Sequence, residues 1–263
     1  MLSDEEKNRF GGVGRLYGRG ALEVFSASRV VVVGVGGVGS WAVEALARSG
    51  IGKICMVDLD EICITNVNRQ LHAMDGQIGR QKTAAMAERV RAINPGCELE
   101  VMEKFFTKRS VEEVLGGRVD GVIDAIDSME HKALLVAECK ARGMAVVTCG
   151  GAGGKSDATR IKVRDLAFSG KDALLHQLRK TLRKEHGFPA VAMGTLPQAM
   201  GIAAVFSDEP SVYPTECGEV SPVREPSAEM RLSCETGYGT AAHVTGTFGL
   251  VAAGAMLDLL RGK

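Results

Sequence analysis

One stretch constrains this chain more than any other: a β-branched run, a glycine turn and a helix come in immediate succession. Residues 29–34 read RVVVVG, an apolar run suited to a strand buried on both faces. The segment Gly34-Val35-Gly36-Gly37-Val38-Gly39 fits G-x-G-x-x-G between a strand and a helix. Residues 40–49 (SWAVEALARS) carry the helical pattern and Gly50 closes them. Glycines here permit a tight turn and let backbone N–H groups approach a phosphate at the helix N-terminus. Asp58 ends the next apolar run, residues 53–58 (KICMVD), where a carboxylate can accept both hydroxyls of a ribose. Alone, this unit specifies an adenine nucleotide, with NAD the default and a purely structural glycine turn the bland alternative.

The alternation continues. Residues 81–93 read as a helix stopped by Asn94-Pro95, residues 98–103 and 119–125 as strands, and residues 132–142 as a helix. Residues 145–149 enter a strand before a Gly-Gly-Ala-Gly-Gly turn. Strand and helix thus alternate to about residue 155, which implies an α/β fold with a doubly wound, largely parallel sheet. Beyond it the pattern changes. Residues 172–185 place Leu174, Leu175, Leu178 and Leu182 on one helical face and Arg179, Lys180, Arg183 and Lys184 on the other. Residues 207–235 are acidic and Pro-bearing, with short strands at most. Residues 1–155 therefore read as a nucleotide-binding part with an N-terminal helix. Residues 156–263 read as the substrate side of the same compact domain, a C-terminal extension that continues the sheet and carries the basic amphipathic helix.

Composition removes several classes. With 32 Lys and Arg against 32 Asp and Glu and 45% hydrophobic residues, the chain is neither disordered nor a supercharged nucleic-acid coat. The neutrality is a cancellation: residues 155–186 hold nine Lys and Arg against four Asp and Glu, and residues 207–235 hold two against seven. A local basic face for a polyanion such as tRNA is compatible with that segregation, as is a solvated helix face. The seven cysteines are odd in number and include no C-x-x-C pair, so neither a disulfide framework nor a structural zinc is expected. Residues 1–10 are charged and lack the apolar stretch of a secretory signal; a cytoplasmic protein is expected. Residues 241–257 are apolar but contain His243 and many small residues, which reads as a buried helix without stable membrane insertion.

The segment after Asp58 does not suit NAD. Residues 58–70 (DLDEICITNVNRQ) end in an amide- and guanidinium-bearing cluster, and Lys82 opens the next helix. Arginine and lysine converging on one crevice suit a triphosphate better than a dinucleotide bridge. The fourth strand delivers Asp124-Ala125-Ile126-Asp127-Ser128 at its carboxyl end, where a carboxylate can hold Mg2+ on phosphates.

These residues resemble the ubiquitin-activating-enzyme-like (ThiF/MoeB) superfamily of ATP-dependent adenylating enzymes, whose sheet is Rossmann-like. The likeness runs nearly end to end. It is carried by Arg9-Phe10-Gly11-Gly12, Arg15-Leu16-Tyr17-Gly18, the turn at residues 34–40, residues 58–70 and residues 124–128. Residues 148–154 (TCGGAGG), Val212-Tyr213-Pro214 and residues 234–239 complete it. The glycine turn is weakly specific, whereas Asp-x-Asp followed by Asn-x-Asn-Arg-Gln is strongly so.

The resemblance implies a working site. Asp58 binds the ribose, Gly36 and Gly37 the α-phosphate region, and Asn66, Arg69 and Lys82 the phosphates. Gly34, Gly39, Asp60 and Gln70 complete the ATP-binding set, and Asp127 binds Mg2+. Arg15, or else Arg9, is the arginine that the second copy of a homodimer inserts toward the γ-phosphate. The missing C-x-x-C pairs and the basic helix favour a branch that acts on tRNA bearing threonylcarbamoyladenosine. There the threonine carboxylate is adenylated and the side chain then closes into a ring, a net dehydration, with Arg179, Lys180, Arg183 and Lys184 as tRNA contacts. The alternative is an adenylating enzyme for a sulfur-carrier or ubiquitin-like protein, in sulfur relay with a cysteine desulfurase. Cys234 either captures the acyl group as a thioester or merely lines the site.

Overall fold

The valines at positions 30–33 lie on an interior strand of the sheet, where burial on both faces rewards them. The computed structural model describes residues 2–191, 194–215, 217–223 and 238–262. Strand β1 (Arg29–Val33) is flanked by β2 (Lys53–Val57) and β4 (Gly121–Asp124), with β3 (Glu98–Met102) and β5 (Ala145–Cys149) beyond them. These five are parallel. The expected extension of the sheet is β7 (Ala203–Ser207), parallel to β5, and β6 (Ile161–Asp165), antiparallel to β7 at the edge. The sheet order is therefore β3-β2-β1-β4-β5-β7-β6, and it crosses residues 155–156 without a break. A short ribbon of β8 (Tyr213–Pro214) and β9 (Val220–Ser221) stands apart.

Neither β6 nor β7 is legible as a strand in the sequence. The β6 residues (IKVRD) are charged because most of them face solvent at an edge. The β7 residues (AAVFS) are almost wholly buried but too few for a period. Pairing with β5 decides their conformation.

Helices cover both faces. The expected N-terminal helix is two, α1 (Asp4–Tyr17) and α2 (Arg19–Ala27), broken at Gly18 with φ +95°. Ser3 and Glu6 cap α1 reciprocally, satisfying two otherwise orphaned N–H groups. Helices α3 (Gly39–Arg48), α4 (Lys82–Ile93) and α8 (Ala242–Leu260) bury one apolar layer against Val30, Val32, Ile54 and Met56. Helices α5 (Val111–Leu115), α6 (Met129–Ala141) and α7 (Ala173–Glu185) bury the other against Val31, Val33, Cys55 and Val57. Leu175, Leu178 and Leu182 are the fully buried stripe of α7, each contributing about 2 kcal/mol on burial.

By length and composition α8 would cross a bilayer, yet half of its apolar window is buried. Its glycines explain how closely it docks. A Cβ on Gly249 would lie 2.3 Å from the Val38 carbonyl oxygen and 2.7 Å from Trp41 Cβ. The helix therefore serves as a wall of the core.

Candidate active site

The order of strands reverses between β1 and β4, which opens a crevice at their carboxyl ends where open α/β sheets bind ligands. The glycine turn lies there. Gly34 has φ +87°, and a Cβ on it would stand 2.7 Å from the Ala125 carbonyl oxygen. A Cβ on Gly39 would stand 1.8 Å from the Gly34 carbonyl oxygen. Only glycine fits either place. Asp58 braces the turn: its carboxylate accepts from the Val35 N–H at 2.6 Å and from the Asp60 N–H at 2.9 Å.

Beneath the turn lies His72, buried, with Nε2 donating to the Val35 carbonyl at 2.8 Å. Burial holds this imidazole below its ordinary pKa, against the raising effect of the Val35 contact, and Lys82 lowers it further. It is therefore a neutral brace for the turn near pH 7. The Gln70 amide lies against Gly36. Gln70 Oε1, His72 Nδ1 and Thr83 Oγ1 are buried with no hydrogen-bond partner among the described residues. Such orphans are rare in finished interiors, and two of these three flank the turn.

The cationic cluster assembles beside it. Lys82, the first residue of α4, is buried, and its ammonium lies 2.7 Å from Asp60 Oδ2. The half-buried Arg69 donates through its guanidinium to the Thr65 carbonyl at 2.7 Å and to Asn68 Oδ1 at 3.0 Å. Its stem runs over Gly37, and Trp41 Nε1 donates to its carbonyl at 3.2 Å. Asn66 differs in role from its neighbours. Its buried carboxamide oxygen accepts from the Cys63 N–H at 3.0 Å, which braces the single helical turn Ile64–Asn66 that carries the loop.

Asp127 is exposed at the end of β4. The loop that holds it is set by a group that sequence reasoning passed over. Asp124 is wholly buried and accepts from Lys132 Nζ at 2.8 Å, Thr148 Oγ1 at 2.6 Å and the Ile126 N–H at 3.1 Å. A lysine at one helical turn into α6 was the available signal. A second such group is Asp172. Its carboxylate caps α7 through the Leu175 N–H at 2.8 Å and accepts from the Gly151 N–H at 2.9 Å. Burial pushes its carboxyl pKa up, against those two hydrogen bonds. One side chain thus ties the basic helix to the turn after β5.

The four basic residues of α7 do not behave alike. Lys180 and Lys184 are exposed. Arg183 is half-buried and donates to the Pro189 carbonyl at 3.2 Å. Arg179 is half-buried and hydrogen-bonded to Ser169 Oγ, so it docks the helix onto its own domain. Arg15 lies on α1 near the amino ends of the strands. Phe10, on the same helix, packs on Gly50 just before β2, and Tyr17 stacks under Arg261 at the far end of α8. The glycine turn, at the carboxyl end of β1, lies at the opposite edge. Cys234 lies outside the described residues. Cys55 and Cys149 are core, their thiols pushed up to about 12 by burial.

The ThiF family model matches residues 13–263. The chain belongs to the ThiF family. This ThiF-family chain is 44% identical to the tRNA threonylcarbamoyladenosine dehydratase of Escherichia coli, covering 100% of this chain and 97% of that one. It is 42% identical to the enzyme of that name from Haemophilus influenzae, covering 99% and 96%. Among solved structures, it superposes with a TM-score of 0.86 on the E. coli tRNA N6-threonylcarbamoyladenosine dehydratase in complex with ATP. That match is 42% identical and covers 100% of this chain and 97% of the other. A further match, TcdA (CsdL), has a TM-score of 0.89 at 44% identity and the same coverage.

Proposed function

We propose that this chain is an ATP-dependent cyclodehydratase of threonylcarbamoyladenosine in tRNA, working through an acyl-adenylate. The observation that carries the reading is the end-to-end likeness to the two dehydratases, joined to a glycine turn ringed by Asp58, Arg69 and Lys82.

A carboxylate oxygen is a poor leaving group, so expelling water near neutral pH needs activation. Asp58 accepts the ribose hydroxyls of ATP, and the N–H groups of the 36–37 turn face the α-phosphate. The threonine carboxylate attacks that phosphorus and pyrophosphate departs. Arg69 and Lys82 offset the charge that develops on the phosphoryl oxygens. Lys82 is already held by Asp60 at 2.7 Å, so little reorganisation is needed. Asp127 is a single exposed carboxylate at the crevice, a donor set that suits Mg2+, which takes one or two carboxylates with phosphate and water oxygens. That ion, when bound, neutralises phosphate charge. A carbamoyl nitrogen or oxygen then bonds to the carboxyl carbon, AMP leaves, and the displaced proton passes to solvent. Holding the adenylate beside its internal nucleophile supplies most of this second step.

Arg15 acts in a homodimer, reaching the nucleotide of the second copy. Exposed apolar side chains adjoin both residues such a contact would join: Leu16 next to Arg15 is 76% exposed, and Ile64, in the turn that ends at Asn66, is 66% exposed. Lys180 and Lys184 meet the tRNA backbone. The setting is cytoplasmic.

The deciding experiment incubates the protein with ATP and threonylcarbamoylated tRNA. Pyrophosphate release stimulated by that tRNA, with nucleosides lighter by one water, supports the reading. Stimulation by a carrier protein with a Gly-Gly tail instead would move the chain to sulfur-carrier activation. Arg69→Ala and Lys82→Ala are expected to slow pyrophosphate release about a hundredfold each.

A further inference from the structure

Two of the three tyrosines in the chain meet on the carboxyl edge of the sheet. The rings of Tyr213 and Tyr238 lie 5.5 Å apart at 45°, and both side chains are half-buried. Neither belongs to the two apolar layers of the core. The backbone beneath Tyr238 is cleared for it. A Cβ on Gly153 would stand 2.7 Å from Tyr238 Cβ, and one on Gly154 would stand 3.0 Å from Tyr238 Cδ1. Gly154 also has φ +68°. Its N–H donates to the Gly239 carbonyl at 2.8 Å, and its carbonyl accepts from the Val212 N–H at 3.0 Å. One glycine therefore stitches both tyrosine-bearing segments to the turn after β5.

The pair also adjoins the nucleotide crevice. Two residues after Tyr238, the Thr240 carbonyl accepts from Asn68 Nδ2 at 2.8 Å, and Asn68 Oδ1 accepts from Arg69 at 3.0 Å. A short hydrogen-bonded relay thus connects Thr240, two residues along the chain from Tyr238, to the Arg69 guanidinium beside the glycine turn.

We infer that Tyr213 and Tyr238 form a stacking platform for an unpaired purine base of the RNA substrate, setting its N6 substituent toward the glycine turn. This rests on the proposed tRNA activity and names the element that would hold the modified base. Sequence-tolerant affinity for splayed RNA bases comes from flat, partly exposed aromatic rings. The basic residues Lys180 and Lys184 contact phosphates and select no base. A base platform near Arg69 provides the missing placement.

The test uses an RNA stem-loop with 2-aminopurine at an unpaired loop position, titrated with the full chain. Wild-type protein binds and changes the fluorescence of the stacked base. Tyr213→Leu and Tyr238→Leu weaken binding about tenfold each and lose the fluorescence change, whereas Tyr238→Phe retains both. Stabilisation by ATP in a thermal melt is the same in all four proteins. Leucine variants that bind and respond like wild type overturn the platform. So does equal loss in Tyr238→Phe, or loss of the ATP response, since either means a structural role. Wild-type protein that binds no RNA overturns the tRNA activity itself.

Discussion

The Lys132 ammonium lies 2.8 Å from the Asp124 carboxylate, and neither side chain is exposed to solvent. Two charges taken wholly out of water repay their desolvation only with good geometry and further hydrogen bonds. Thr148 and the Ile126 N–H each donate one to Asp124. The pair clamps the end of β4 to α6 and so fixes the loop that presents Asp127. Lys132→Met strands the buried carboxylate and is expected to cost about 3–5 kcal/mol, read from urea unfolding. Thr148→Val, which removes one donor only, is expected to cost about 1–2 kcal/mol.

Gly39→Ala tests the turn. The added carbon would meet the Gly34 carbonyl oxygen at 1.8 Å, and backbone cannot swing aside as a side-chain tip can. A loss of about 3 kcal/mol is expected, the upper end of overpacking costs. ATP is then expected to give no stabilisation of the variant in a thermal melt.

The division within α7 predicts opposite behaviour for neighbouring cations. Lys180→Gln with Lys184→Gln is expected to leave the melting temperature unchanged. It should lower the slope of log affinity for tRNA against log salt by about 0.9 for each lost phosphate contact. Arg179→Gln is expected to keep that slope while losing about 1 kcal/mol of stability with its hydrogen bonds to Ser169 and Leu166.

Acid should act through Asp208. Hydrogen bonds from Lys162 and Arg160 hold its carboxyl at about 2, below the ordinary 3.8. A depressed acid contributes stability that is complete above the unfolded value and fades as pH falls through the folded one. The urea midpoint of the wild type is expected to drop as pH falls from about 4 toward 2, and Asp208→Asn is expected to show a shallower drop. Identical profiles would dismiss this carboxyl as an acid-sensitive tether between β6 and the end of β7.

Much of residues 29–155 was legible because its signals are local. A valine run, a glycine forced by φ, and an acid at a strand end need only their neighbours in sequence to be read. The same holds for the leucine stripe of α7. Asp58, Arg69 and Gln70 lie against the turn and Lys82 pairs with Asp60 beside it, while the Asn66 carboxamide oxygen accepts from the Cys63 N–H of its own loop.

Tertiary structure decided the rest. Strands β6 and β7 exist because β5 offers an open edge, which no period in five residues announces. The Arg179 guanidinium turned inward because Ser169 stands beneath it. Asp124 found Lys132 at its back, and Asp172 found Gly151 across a turn. The sequence by itself determined a largely parallel α/β sheet with a glycine turn after its first strand, since backbone stereochemistry and hydrophobic period are properties of adjacent residues. Which charges are buried as braces and which stay free for a ligand was settled only by long-range packing, because desolvation depends on what the fold brings against each side chain.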